Sequence, residues 1–325
     1  MESRQRALPG IRFAPTRLPP DTSHAPMTTA RRHLIPLSSG RRVAVLEYGD
    51  PHGAPLFFFH GWPAAGIQGA MLDASARELG VRVLSPDRPG IGASDFHPQR
   101  RLLDWPPLVR ELAAALGIAR CRVLGVSGGG PYALACAWSL PELVEVAGVV
   151  CGAPPLAGLG ANRGLQPAYR LLLGLHRRSP GAVRALFQAM RPFGRFPTPR
   201  WFVGLTARML LPACDVAALT DRGSGTLAMN VMRESWRQPA IGNFTDAEIY
   251  AGPWGFPLGE VRVPVRLWHG AEDRSFAPAF AEALARELPA CTFRLLPGVG
   301  HYSLPIRHAR EIVADLLAFP LCPAT

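Results

Sequence analysis

The chain has 325 residues, 48% hydrophobic and 18% charged, enough apolar sequence to bury one large core together with an inserted subdomain. No apolar run approaches the roughly 18 residues of a membrane span, and six cysteines (Cys121, Cys136, Cys151, Cys214, Cys291, Cys322) at no metal-like spacing argue for buried thiols in a reducing, cytoplasmic setting rather than disulfides or a metal site. The net charge of +11 is carried wholly by arginine and is local: residues 1–32 hold six arginines against two acids, residues 155–253 twelve against five, and no aromatic-interleaved basic motif points to nucleic acid as a partner.

Residues 1–32 are rich in Arg and Pro without hydrophobic periodicity, which predicts a disordered extension. They lack the continuous apolar core of a signal peptide, and Met27 offers an alternative start. From His33 short apolar runs alternate with helical stretches. Strands are predicted at Arg42–Tyr48, Pro55–Phe59, Val81–Ser85, Cys121–Val126, Val144–Val150, Val263–Trp268 and Thr292–Leu296, and helices at Ile67–Leu79, Trp105–Leu116, Pro131–Leu140, Pro278–Leu288 and His308–Phe319. Near-continuous apolar strands between helices mean an α/β fold with a mostly parallel, doubly wound sheet covered on both faces. The core falls into two parts, residues 33–154 and 254–325. Residues 155–253 between them are helical and Arg-studded, as in Ala168–His176 and Ala182–Met190, and read as an inserted cap over the edge where open α/β sheets place ligands.

Gly125-Val126-Ser127-Gly128-Gly129 lies between a predicted strand and a predicted helix. A serine flanked by glycines suits a sharp turn at strained dihedrals that pushes the hydroxyl out at the top of the sheet. A hydroxyl becomes a nucleophile only when a base takes its proton, and the base must itself be oriented by a third group. His301, in a glycine-bearing loop after the last strand, is the candidate base. Asp273, just past the preceding strand, is the candidate acid. The turn Phe59-His60-Gly61-Trp62-Pro63 can aim the Trp62 amide at a developing oxyanion, and the Gly128 amide supplies a second donor. His60 reads as a structural residue packed under that turn. Asp87–Asp95 lacks the spacing of a phosphate loop and is assigned to scaffolding of the neighbouring turn.

These four pieces, in the order serine, aspartate, histidine, resemble the α/β-hydrolase superfamily in its serine-nucleophile, His-Gly-x-Pro branch, over about residues 33–153 and 255–320. The resemblance implies an α/β-hydrolase fold, Ser127 as nucleophile, Asp273 and His301 as its acid and base, and Trp62 and Gly128 as oxyanion donors, with Trp62 also touching substrate. It implies hydrolysis of a small-molecule ester or related acyl bond without metal or organic cofactor. Acyl transfer, amide cleavage and carbon–carbon hydrolysis use the same triad, and a non-catalytic binder shares the fold. The superfamily's alternative acid position, after the strand ending near Val150, holds Cys151-Gly152-Ala153-Pro154 and no carboxylate.

Overall fold

The structure, a computed structural model, describes residues 30–158, 164–196 and 200–319. Eight strands form one sheet: β1 (Arg31–Pro36), β2 (Arg42–Gly49), β3 (Ala54–Phe59), β4 (Val81–Pro86), β5 (Cys121–Val126), β6 (Val144–Val150), β7 (Val265–Gly270) and β8 (Cys291–Leu296). Their order across the sheet is β1-β2-β4-β3-β5-β6-β7-β8, with β2 antiparallel to both β1 and β4 and every other pair parallel. β3 and β5 lie at the centre, so the C-terminal ends of both, where the oxyanion turn and Ser127 begin, are neighbours by construction.

Alternation along the strands feeds two cores. Phe57, Phe59 and Val123 pack on one face with helices Trp105–Ala115, Gly130–Ser139 and Pro278–Glu287. Leu56, Phe58 and Leu124 pack on the other with helices Asp73–Glu78 and Ala309–Leu317. Burial on both faces is why these strands read as unbroken apolar runs.

Most boundaries shift by a residue or two, and three differences from the sequence reading have a local cause or consequence. Arg31 and Arg32, expected in a disordered extension, belong to β1, so the core starts before His33; residues 1–29 lie outside the described part. The single helix expected over Ile67–Leu79 is a 3-10 segment, Gly66–Leu72, running into Asp73–Glu78, its first amide drawn to the Asp87 carboxylate at 2.7 Å. The strand expected from Val263 pairs only from Val265, because Pro264 has no amide to give the ladder.

Between β6 and β7 the described residues form six α-helices: Pro167–Arg178, Pro180–Arg195, Arg200–Leu210, Ala213–Thr220, Arg222–Ser235 and Ile241–Ala251. Several starts are marked in the sequence. Proline opens the first two, the Ser179 hydroxyl accepts from the Ala182 amide, and the Asp221 carboxylate accepts from the amides of Gly223 and Ser224. Val183, Phe187, Trp236, Ala240 and Phe244 give these helices an apolar cluster of their own. Among the described residues no helix is long and apolar enough to cross a membrane.

Candidate active site

Ser127 follows β5 directly, at φ +54, a left-handed conformation rare for a residue with a side chain. The chain runs through Ser127–Gly129 into helix Gly130–Ser139. Two glycines make this passage possible. A Cβ on Gly125 would stand 2.2 Å from the Gly129 carbonyl oxygen, and one on Gly129 would stand 1.9 Å from that of Phe59. Tight crossing of three backbone segments therefore fixes the serine in its strained turn.

The serine hydroxyl is 2.9 Å from Nε2 of His301, and Nδ1 of His301 is 2.8 Å from Oδ2 of Asp273. With Nδ1–H donating to the carboxylate, Nε2 is left to accept the hydroxyl proton. Asp273 is fixed in turn, its Oδ1 accepting the amides of Ser275 at 2.8 Å and Phe276 at 3.0 Å. Phe276 and Tyr302 meet the imidazole edge-on, with ring centroids 5.4 and 5.1 Å away. All three residues of the relay are buried, and Ser127 is only 8% exposed. The serine thus stands at the expected sheet edge but is covered by the inserted helices rather than open to solvent.

Burial alone would drive the His301 pKa down, yet the Asp273 carboxylate, its hydrogen bond and the charge of Asp215 together hold it above the usual imidazole value. Burial likewise pushes Asp273 upward, and His301, its hydrogen bond, His269 and the Phe276 amide outweigh it, leaving that carboxyl below its ordinary range. The two shifts describe one ion pair in the making, a carboxylate that favours imidazolium.

The turn after β3 brings Trp62 beside the serine. A Cβ on Gly128 would meet the Trp62 Cβ at 2.9 Å and the Tyr250 hydroxyl at 2.6 Å, so the Gly128 and Trp62 backbones flank one narrow space. His60 is wholly buried beneath this turn: Nδ1–H donates to the Gly61 carbonyl at 2.9 Å and Nε2 accepts the Arg88 amide at 3.3 Å. Burial and the nearby Arg88 guanidinium keep it neutral, which fits the structural role read from the sequence. Arg88 grips the same turn, donating to the carbonyls of His60 at 2.5 Å and Gly61 at 2.7 Å. The loop Asp87–Asp95 is therefore a scaffold, with the Asp87 carboxylate also taking the Ala93 amide at 3.0 Å.

Two carboxylates that no motif marked come from the inserted helices. Asp246 pairs with Arg88 at 2.8 Å and with Arg100, and accepts the Tyr132 hydroxyl at 3.0 Å, all out of solvent. Asp215, also wholly buried, reaches the loop that carries His301. Residues 155–253 contain only five acids against twelve arginines, and two of the five turn inward. That scarcity is the one trace of them in the sequence.

A narrow cleft of about 60 Å³ lies over Ser127 and Gly128. Tyr169, Leu172, Leu173 and His176 line it from one side of helix Pro167–Arg178, and Ala247, Tyr250 and Ala251 from helix Ile241–Ala251. Trp62 also lines it, its ring stacked 5.8 Å from that of Phe187 and its indole N–H donating to the Asn243 carbonyl at 2.9 Å. The lining is almost wholly apolar, which suits an uncharged hydrocarbon group better than an ion.

Among the described residues one trio has ligand atoms close enough for a metal, Cys151, His269 and Asp273. Its Asp273 carboxylate and the Nε2 of His269 are engaged elsewhere. Asp273 serves His301, His269 donates Nε2–H to the Phe276 carbonyl at 3.0 Å, and burial pushes the Cys151 thiol well above its ordinary pKa, so it stays protonated. Cys151 occupies the alternative acid position and offers its Sγ–H to the Gly300 carbonyl at 3.7 Å.

Residues 56–316 match the model of the alpha/beta hydrolase family, and the chain belongs to that family. It is 25% identical over 303 residues to a non-heme chloroperoxidase of Streptomyces lividans, covering 88% of this chain and 98% of the relative. It is 26% identical over 304 residues to a 2-hydroxy-6-oxononadienedioate/2-hydroxy-6-oxononatrienedioate hydrolase of Paraburkholderia phymatum, covering 90% and 91%. An esterase structure from Exiguobacterium antarcticum shares the fold, with a TM-score of 0.64 at 17% identity over 87% of this chain and 98% of that one.

Proposed function

We propose that the protein is a serine hydrolase that cleaves esters of uncharged, largely apolar acyl groups through an acyl-enzyme on Ser127. The observation that carries this reading is the unbroken relay from the Ser127 hydroxyl through His301 to Asp273, at 2.9 and 2.8 Å, beneath an apolar cleft. Ser127 Oγ attacks the acyl carbon while His301 Nε2 takes its proton. The carbonyl oxygen becomes negative and is received by the amides of Trp62 and Gly128. His301 then gives its proton to the departing alkoxide, the alcohol leaves, and the acyl group remains on Ser127. Water, deprotonated by the same nitrogen, attacks the acyl-enzyme, and collapse of the second tetrahedral species frees the acid and restores the serine. Asp273 keeps Nδ1–H in place and stabilises the imidazolium formed in each half. Every proton and electron pair in this scheme comes from side chains, substrate and water. The inserted helices act as a cap that dries the cleft and supplies most of the acyl contacts, with Trp62 lining it beside the serine.

The test is labelling with a fluorophosphonate probe, followed by peptide mapping, together with turnover of p-nitrophenyl esters. Labelling at Ser127 and loss of both labelling and turnover in Ser127→Ala support the reading. An unlabelled protein, or esterase activity that survives in Ser127→Ala, overturns it.

A further inference from the structure

Asp215 lies on the inserted helix Ala213–Thr220, yet its carboxylate is buried against the loop that carries His301. Oδ2 accepts the His301 amide at 2.9 Å. Oδ1 accepts the amides of Tyr302 at 3.0 Å and Ser303 at 2.7 Å, and the Ser303 hydroxyl at 2.7 Å. That hydroxyl in turn accepts the Gly300 amide at 2.8 Å, so four successive residues converge on one carboxylate. A Cβ on Gly300 would stand 2.5 Å from Oδ2, and its absence is what lets the carboxylate reach the loop.

A buried carboxylate is strongly unfavourable unless its lone pairs are filled, and these four donors fill them. The loop gains as much, because without an acceptor its three consecutive amides would be orphaned in the protein interior. The backbone held in this way belongs to the residue whose ring must meet Ser127 on one side and Asp273 on the other.

We propose that Asp215 is a positioning residue for the general base: it fixes the His301 backbone from the inserted helices and so sets the reach of the imidazole to Ser127. The proposal rests on the serine-hydrolase reading above. Charge adds a second signature. The groups facing His301 are Asp273 after β7 with His269 behind it, Cys151 after β6, Tyr302 on its own loop, Tyr169 from helix Pro167–Arg178 and Asp215. Burial keeps His269 neutral, and it keeps the Cys151, Tyr169 and Tyr302 protons on. Of these groups, Asp273 and Asp215 are the two whose charge favours protonated His301.

The experiment compares the full chain with Asp215→Asn, Ser303→Ala and Gly300→Ala, measuring kcat, KM, the pH profile of kcat/KM and the rate of fluorophosphonate labelling at Ser127. Asparagine keeps the shape of the side chain but carries no charge, and its amide nitrogen donates where the second carboxylate oxygen accepts. In Asp215→Asn, kcat and labelling rate are expected to fall at least about tenfold with KM within about threefold, and the acid limb of kcat/KM to move to lower pH. Ser303→Ala removes one donor and leaves the charge, so a smaller loss of kcat with an unmoved limb is expected. Labelling and kcat of Asp215→Asn within about twofold of wild type overturn the proposal, as does a loss that merely follows the folded fraction with the limb unmoved. Should Asp215→Asn fail to fold, wild-type kcat in both Ser303→Ala and Gly300→Ala overturns it, and a lowered kcat at unchanged KM in both supports it. A wild-type protein that does not label at Ser127 sinks the hydrolase reading instead, which separates the two failures.

Discussion

Arg88 and Asp246 form an ion pair at 2.8 Å with both side chains out of solvent, joining the loop after β4 to the inserted helix Ile241–Ala251. Because Arg88 also holds the carbonyls of His60 and Gly61, the pair secures the turn that presents Trp62. Asp215 does the corresponding service for the loop of His301.

Removing Asp246 strands two buried guanidinium groups, those of Arg88 and Arg100. Asp246→Ala should therefore lose about 3–5 kcal/mol in urea denaturation at neutral pH. The pH dependence follows from the carboxyl itself. Burial pushes it up, but Arg88 and Arg100 hold it down at about 2, below its ordinary 3.8. Its contribution is complete above 3.8 and lost as pH falls toward 2, since the unfolded chain takes up the proton first. Stability curves of wild type and variant should converge over that interval; parallel curves would contradict the assignment.

Activity should have an acid limb set by His301. The base must be neutral, and its pKa lies above the ordinary 6.5 because Asp273 and Asp215 overcome the effect of burial. Hence kcat/KM should rise with pH through a midpoint above 6.5. Asp273→Asn should shift that midpoint downward and lower kcat by orders of magnitude, about 10⁴-fold where such a residue has been replaced in serine proteases. A midpoint below the ordinary imidazole value would contradict the electrostatics described above.

Gly128→Ala places a methyl group 2.6 Å from the Tyr250 hydroxyl and 2.9 Å from the Trp62 Cβ, at the space assigned to the oxyanion. The expected outcome is a loss of kcat of about 10²-fold or more, beyond what the folded fraction accounts for, with a lowered melting temperature from the overpacked site. Unchanged kcat would place the oxyanion elsewhere.

The lining of Leu172, Leu173, Val183 and Phe276 predicts that kcat/KM rises with acyl chain length until the cleft is filled. Matched esters carrying a free carboxylate on the acyl group should be poorer by tenfold or more, about 1.4 kcal/mol of transition-state binding. Leu172→Trp should shift the optimum to shorter acyl groups. An anionic series that wins by tenfold would contradict this and point to an arginine of the inserted helices as the carboxylate's partner.

The relay was legible in the sequence because Ser127 and Asp273 follow buried apolar strands and His301 a glycine-bearing loop after the last strand, and a strand's end is a local signal. β1 was not legible: it is an edge strand in which only Ile35 is buried, so no apolar run announces it. Asp215 and Asp246 were invisible for a different reason. Their partners lie 86 and 158 positions away, and an acid on an amphipathic helix ordinarily faces water. Tertiary packing alone selects which acids turn inward.

Asp215 and Asp246 also set the terms on which this segment could be exchanged. A chimera that replaced residues 155–253 with the corresponding stretch of another family member would keep Ser127, Asp273, His301 and the whole sheet, yet remove the acceptors of the His301 loop and the counter-ion of Arg88. Recombination at the seams after β6 and before β7 is therefore expected to change rate along with specificity unless both carboxylates travel with the graft, which a chimera assayed with and without them would show.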